Sequence, residues 1–439
     1  MTPAMATSTG YTKWNSSLYH WLLCQKILEN TSLGLVATLP IPKDWNFIAR
    51  YTNGNRRQHG LRIVHWNKGS SHLENKINEL ETIVEKYHPH ILGLSEANLY
   101  SHHDPDKVQI PDYTLHMCPT MTNPQLGVSR VVVYTHSSLV VKMRPDLMNN
   151  RISSIWMEIG LPGRSKILVC NTYREWQYLG QNDNSSRSLA SQLAMWELFI
   201  QQWELAIRED KEVIVTGDMN IDSFKWCRDD LPSTDSTYRL RPLIDLLFEK
   251  VIPQGFSQQV RVATHAWKGQ HPSCLDHLYT NKPDKITEVQ AVVNGGSDHK
   301  LLHVVRYAKS MKKNVRYIRK RCFKGFDESK FKEEIRKLKF HDIYSTSDVD
   351  SAVAMLTSKL CTVLDKFAPV KTVQIRSNYA PWLNEEVRKL ISQRDAAQLV
   401  AAHSQCQDTW RYYRNLRNIT TKSIRNARKS WESKQLKIT

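Results

Sequence analysis

Between residues 61 and 306, short apolar runs alternate with stretches in which apolar side chains recur every three or four positions. Leu61-Arg-Ile-Val-His-Trp66 and Ile91-Leu-Gly-Leu-Ser95 read as strands, since apolar runs this short suit buried strands better than helices. Between them Leu73, Ile77, Leu80 and Val84 fall at spacings of four, three and four, the period of an amphipathic helix. Further strands are expected at 131–134, 152–159, 166–171, 213–216 and near 276–280, 289–293 and 301–306, with helices over 187–208 and 240–250. Many strands with few helices among them predict an α+β domain of packed sheets with helices outside.

The flanks read differently. Residues 1–60 hold a few apolar runs and then the polar stretch Thr52-Asn-Gly-Asn-Arg-Arg-Gln58, which suggests a weakly ordered leader. Residues 307–439 are expected to form a separate, largely helical module. Ser377-Asn-Tyr-Ala-Pro-Trp382 reads as a loop, and Asn384 as an N-cap with Glu385 and Glu386 in the first turn, where carboxylates suit the helix dipole. Tyr413, Leu416, Ile424, Ala427 and Trp431 then make a loose apolar stripe, with Arg414, Arg417, Lys422, Arg425, Arg428 and Lys429 between them.

Charge sharpens this division. The net charge is +18, yet residues 1–306 hold 32 Lys/Arg against 30 Asp/Glu, whereas 307–439 hold 29 against 13. A surplus confined to the last third points to a polyanion partner for that part. A solvated helical surface is the plainer account of a charge run, but Trp410, Tyr412 and Tyr413 stand among the arginines and could stack on bases. With 41% hydrophobic residues over 439 positions, two or three domains with a sizeable core are affordable. The eight cysteines are scattered, with no C-x-x-C and no zinc-ligand spacing, which reads as reduced thiols in an intracellular protein. Leu33-Gly-Leu-Val-Ala-Thr-Leu39 is too short to span a bilayer, and the N-terminus lacks the pattern of a signal peptide. A nuclear location without membrane attachment is expected.

The candidate chemistry lies where apolar runs end. Trp66-Asn67, Ser95-Glu96-Ala-Asn98, Thr172-Tyr173-Arg174, Gly217-Asp218-Met-Asn220, Leu275-Asp276-His277 and Ser297-Asp298-His299 each bring oxygen or imidazole groups to a strand end. Singly each is weak: Gly-Asp-x-Asn is usually a turn, and a carboxylate after a strand is usually on the surface. Their order along the chain is what gives them weight.

As an ordered set these motifs resemble the endonuclease/exonuclease/phosphatase superfamily, and within it the apurinic-like endonuclease domains of non-LTR retrotransposons. The segment from Pro381-Trp382 to Trp431 is similar, more loosely, to the linker that precedes their reverse transcriptase. The resemblance implies a four-layer α/β-sandwich, two packed mixed β-sheets flanked by helices, over residues 61–306, with a C-terminal helical extension. It implies a metal-dependent phosphodiesterase that nicks DNA and leaves a 3′-hydroxyl able to prime reverse transcription. Mg2+ is the expected cofactor and Mn2+ the alternative, because phosphate oxygens and carboxylates suit a hard divalent cation. Glu96 would be the main ligand, assisted by Asn67 and Asp298. Asp218 would orient or deprotonate the attacking water, Asn220 would hold water or phosphate, and Tyr173 would donate to a phosphate oxygen. His299 would stabilise charge at the transition state, held by Asp276. Arg174, Ser297, Arg414, Arg417, Arg425 and Arg428 would contact nucleic acid: DNA first, element RNA second. Gly69 stands where some apurinic endonucleases carry an acidic ligand, and no aromatic-x-Asp-Asp turn of a reverse transcriptase occurs, so a polymerase partner would lie outside this chain. Two rivals remain on the sequence alone: a relic that binds nucleic acid without cleaving it, and a superfamily phosphatase acting on a non-nucleic substrate.

Overall fold

The computed structural model describes residues 60–117, 128–149, 151–163, 165–175, 189–225, 238–266, 268–269, 271–309, 316–375 and 379–438. In chain order the elements are β1 (Leu61–Asn67), α1 (Ile77–Tyr87), β2 (Ile91–Ser95), β3 (Leu99–Tyr100), β4 (Tyr113–Met117), β5 (Val128–Ser129), β6 (Val132–His136), β7 (Val140–Met143), β8 (Ser154–Gly160) and β9 (Lys166–Tyr173). They continue as α2 (Leu189–Ile207), β10 (Glu212–Asp218), α3 (Arg241–Lys250), β11 (Ser257–Gln258), β12 (Asp276–Thr280), β13 (Ile286–Val292) and β14 (Leu301–Arg306). Two six-stranded sheets result, ordered β13-β14-β1-β2-β6-β4 and β11-β12-β10-β9-β8-β7. Both mix parallel and antiparallel pairs.

Period-two alternation builds the layers. In β1, Leu61 and Ile63 enter the core between the sheets, with Ile155, Val169, Ile214 and Leu278 from the second sheet. Val64 and Trp66 point the other way, into a core with Leu80, Ile83 and Val84 of α1. On the far side Trp196, Phe199, Ile200 and Trp203 of α2 pack on Trp156, Leu168, Val213 and Val215. Each fully buried Leu or Ile in these cores contributes roughly 1.5–3 kcal/mol. The result is an α+β sandwich of two mixed sheets flanked by helices, as the motifs implied.

The same alternation puts polar groups between the sheets at one end. His65 and Asn67 continue the inward row of Leu61 and Ile63. Parallel pairing of β1 with β2 sets Asn67 opposite Ser95, and parallel pairing of β9 with β10 sets Tyr173 opposite Asp218. Antiparallel β12 sets Asp276 opposite Asp218 on its other side. Four strand C-termini and the start of β12 therefore converge on one rim.

The remaining elements are β15 (Arg316–Arg321), α4 (Glu328–Arg336), α5 (His341–Tyr344), α6 (Val349–Phe367), β16 (Val370–Ile375), α7 (Glu385–Ser404) and α8 (Gln407–Ile438). The compact units divide elsewhere than the sequence suggested. Lys313–Asn378 forms one unit, in which β15 pairs antiparallel with β16, while Tyr379–Thr439 belongs with the layered domain. The reason lies in the apolar stripe. Tyr413 and Ile424 are buried in small cores with Ala401, Trp382 and Val387, so α7 and α8 form a hairpin closed on the domain. Asn384 caps α7 as expected, its Oδ1 accepting from Val387 N at 2.9 Å. The leader expected over 1–60 lies outside the described residues, save Gly60. Among the described residues no helix is long and apolar enough to cross a membrane.

Candidate active site

At the rim, one asparagine amide joins two carboxylates. Asn67 Nδ2 donates to Asp218 Oδ2 at 2.8 Å and to Glu96 Oε1 at 3.2 Å. Glu96 stands just beyond β2 at φ 52°, in the left-handed region, as do Asn98 and Asn220 at φ 48°. Asparagine tolerates that region; for Glu96 it is a local cost kept by the surrounding contacts. The Tyr173 hydroxyl, itself accepting from Arg130 Nη2 at 3.3 Å, donates to Glu96 Oε1 at 3.3 Å. Asp218 Oδ1 accepts from Asn220 N at 2.9 Å. Gly217 allows this turn to lie close to β9, since a Cβ there would stand 2.0 Å from Thr172 O.

Asp276 and His299 meet although 23 positions apart: His299 Nδ1 lies 2.8 Å from Asp276 Oδ2. Asp276 Oδ1 faces His65 Nε2 at 3.3 Å, and His65 Nδ1 lies 2.8 Å from Asn171 Oδ1. Burial alone would discharge His299. The adjacent Asp276 carboxylate, its hydrogen bond, and the charges of Asp218 and Asp298 overcome burial and hold the imidazole well above its usual range. In the same way burial would raise Asp276, but His299 and the hydrogen bonds from His299 and His65 hold it low. Asp218 is pushed up to about 6, by burial first and by the Asp276 charge, against His299 and two hydrogen bonds. The site thus holds an imidazolium beside one carboxylate that stays ionised and another of raised basicity. Burial, then the charge of Glu96, raises the Tyr173 phenol well above 10 and keeps its proton in place to donate.

Several expected contacts turn out to be used inside the protein. Arg174, expected at phosphate, donates to Met219 O, to Asn220 O at 2.6 Å and to Gln192 Oε1 at 2.5 Å, so it braces the Asp218–Asn220 turn. Ser297 Oγ donates to Asn67 O at 2.7 Å and accepts from His299 N at 3.1 Å. The Tyr173 proton goes to Glu96 rather than outward. Asn220 Nδ2 donates to Arg174 O at 2.8 Å. Asp298, expected among the metal ligands, faces His265 Nε2 at 3.5 Å. On α8, Arg414 and Arg425 are exposed. Arg417 lies over the Tyr413 ring, and Arg428 pairs with Glu81 at 3.1 Å and Glu432 at 2.9 Å. Trp410 and Tyr413 are each only 4% exposed, so base stacking is closed to them, and Tyr412 is half-buried.

Sequence reasoning missed His65, Arg130, Lys68 and His265. His65 had a signal, as the polar residue on the inward parity of β1. Arg130 stands before the apolar run Val131-Val-Val-Tyr134, where burial was foreseeable, and also donates to Asn98 Oδ1. Lys68 is buried and pulled down to about 7, by burial first and by the Lys76 and Arg130 charges, against Glu96. His265 stacks near His299, with ring centroids 4.7 Å apart, and nothing in its sequence context marks it.

Asp218, Asp276 and His299 each place a possible ligand atom within 4.8 Å of the others. Both Asp276 oxygens are turned to imidazoles, Oδ2 to His299 Nδ1 at 2.8 Å and Oδ1 to His65 Nε2 at 3.3 Å, which sets this trio apart as a carboxylate–imidazole pair beside Asp218. Of the two carboxylates meeting at Asn67, Glu96 is the one that fits a hard divalent cation, since both Asp218 oxygens already accept hydrogen bonds. Glu96 is half-exposed, and its Oε2 takes no hydrogen bond among the described residues. Asn67 Oδ1 accepts from Gly69 N at 2.9 Å, while its Nδ2 orients both carboxylates.

The model of the Endonuclease/Exonuclease/phosphatase family matches residues 52–299. Among solved structures, the endonuclease domain of TRAS1, a telomere-specific non-LTR retrotransposon, is 17% identical, covering 56% of this chain and 98% of that one, with a TM-score of 0.39. The Xenopus laevis APE2 catalytic domain is 14% identical, covering 58% and 94%, TM-score 0.43. A 3′-5′ exonuclease from Neisseria meningitidis is 13% identical, covering 56% and 99%, TM-score 0.40. No curated protein matches the chain.

Proposed function

The chain belongs to the endonuclease/exonuclease/phosphatase family, and from that premise we propose that it is a divalent-metal-dependent DNA-nicking endonuclease that leaves a 3′-hydroxyl. The observation that carries the reading is the convergence of Glu96, Asp218 and the Asp276–His299 pair on one rim of the two sheets. Glu96 would hold Mg2+ or Mn2+, with Asp218 beside it left for the water. When bound, the cation neutralises phosphate charge and polarises a phosphoryl oxygen. Asp218, its basicity raised by burial, takes a proton from the attacking water. The water oxygen bonds to phosphorus, the bond to the 3′ oxygen breaks, and that oxygen takes a proton from solvent to become the free hydroxyl, while Asp218 returns its proton to solvent. His299, held charged by Asp276, donates to the phosphoryl oxygen as negative charge grows there. Tyr173 and Asn67 keep Glu96 in place, and Arg174 keeps the Asp218 turn in place.

The exposed Arg414 and Arg425, on a chain whose surplus charge lies in its last third, support DNA as substrate and element RNA as a second ligand. The proposed setting is the nucleus, beside a reverse transcriptase carried outside this chain. Supercoiled plasmid tests the reading. Nicking that needs Mg2+ or Mn2+ and disappears in Glu96→Gln supports it; binding without nicking favours a non-cleaving relic.

A further inference from the structure

The hairpin of α7 and α8 takes no part in the chemistry above, yet its buried polar groups converge on the loop that carries His299. Arg394, 1% exposed, sends Nη1 to Glu79 Oε1 at 2.6 Å and Nη2 to Asn294 Oδ1 at 3.0 Å. Asp395 Oδ1 accepts from Gly295 N at 2.8 Å, and the Tyr413 hydroxyl donates to Gly295 O at 3.0 Å. Gln398 Nε2 donates to Ser297 O at 2.7 Å. From inside the domain, Lys76 Nζ reaches Gly296 O. Four consecutive residues, 294–297, are thus held from outside the loop. The next links lead straight into the site: Ser297 Oγ bonds Asn67 O and His299 N, and His299 bonds Asp276.

The loop is shaped for this grip. A Cβ on Gly295 would stand 2.6 Å from Arg394 Nε, and one on Gly296 would stand 3.1 Å from Glu79 Cδ. Neither glycine has positive φ, so what they supply is room for the hairpin's side chains. Burying Arg394 with two carboxylates is also a poor way to gain stability, since well-packed apolar residues often do as well. What such a network does supply is a fixed geometry for the groups it bonds.

We propose that the α7–α8 hairpin positions the catalytic loop: Arg394, Gln398 and Tyr413 hold residues 294–297 so that His299 faces Asp276. The proposal rests on the nuclease reading for its catalytic consequence, though not for the clamp itself. These three are positioning residues, and their loss lowers the chemical step rather than substrate binding.

The test uses the full chain with Gln398→Ala and Tyr413→Phe, which remove single hydrogen bonds, and Lys389→Ala, exposed on α7, as control. Backbone hydrogen exchange over 294–299 and the His299 Nδ1–H resonance in histidine-labelled protein report the clamp whether or not DNA is cut. Expected are faster exchange of the segment and of the Nδ1–H in both variants, with kcat for plasmid nicking down roughly three- to tenfold, the scale of one net hydrogen bond, and KM unchanged. Combining the two variants deepens the effect, and the control changes nothing. Unchanged loop exchange in both variants overturns the proposal, as does faster exchange with wild-type kcat, or a change in KM alone. If the wild type cuts nothing with Mg2+ or Mn2+, the nuclease reading has failed. The two exchange measurements then decide the clamp: a faster Nδ1–H supports it and an unchanged one overturns it.

Discussion

Asp276→Asn isolates the charge that holds His299. The substitution keeps the shape of the side chain and an oxygen that can accept from His299 Nδ1, now at 2.8 Å, but removes the negative charge. At an effective dielectric of about 20, two unit charges about 4 Å apart attract by roughly 4 kcal/mol, equivalent to about three decades in the imidazole proton equilibrium. Asp218 and Asp298 still attract the ring, so part of the elevation survives the substitution. In the wild type the raised His299 stays charged through mildly alkaline pH and loses its contribution only as pH rises through that raised value. In Asp276→Asn the loss moves down into the working range. Single-turnover nicking from pH 6 to 9 should therefore be slower by about 10²–10³-fold, the scale for losing one transition-state donor, with the deficit growing as pH rises. A thermal melt checks that the fold persists. A variant that cleaves within threefold of wild type, with the same pH profile, would refute the pairing as the source of His299's role.

Other consequences follow from the same geometry. Glu96→Gln should fold as the wild type does but lose nicking and its response to Mg2+ in titrations; retained activity would remove Glu96 from the metal site. His90, His303 and His277 are lowered by burial, to about 3, 4 and 4. They stay neutral in the fold, while the unfolded chain takes up their protons below about pH 6.5. Stability is therefore full above that pH and declines toward pH 4, by on the order of 3 kcal/mol at most for each ring. Urea midpoints against pH should show this decline, and His303→Gln should shrink it; an unchanged slope would contradict the burial argument. Arg414→Ala with Arg425→Ala should flatten the dependence of log affinity for duplex DNA on log salt by about 0.9 for each phosphate that is no longer neutralised, leaving the saturated rate unchanged. An unaltered slope would place nucleic acid elsewhere.

The sandwich was legible because short apolar runs mark β1 and β2, and Ile77, Leu80 and Val84 keep the helical period within α1. The edge strands β4 and β7 were not, because much of each faces solvent and β7 offers only the short run Leu139-Val-Val141. The Asp276–His299 pair was implied by the family resemblance that the ordered motifs carry, and strand register sets Asp276 beside Asp218 as well. The partners of the supporting groups could not be read: the position of His65 and Arg130 in apolar runs hinted at burial, but their contacts, like those of His265, join distant segments. The stripe on α8 shows the limit most clearly. Its period announced a buried face, but the partner that covers it, α7 together with the domain's own loop, is set by long-range packing. Trp410 and Tyr413, which looked available for bases, are therefore core residues.

On the proposed reading, the rim formed by Glu96, Asp218, Asp276 and His299 hydrolyses a phosphodiester bond of DNA with a divalent cation. Supercoiled plasmid incubated with the full chain, with and without a chelator, and then offered to a DNA polymerase without prior repair, tests it most directly. Nicked circles are expected only when Mg2+ or Mn2+ is present, none with Glu96→Gln, and direct extension from the nick. Chelator-resistant nicking, equal nicking by Glu96→Gln, or nicks that extend only after 3′-phosphatase treatment would contradict it.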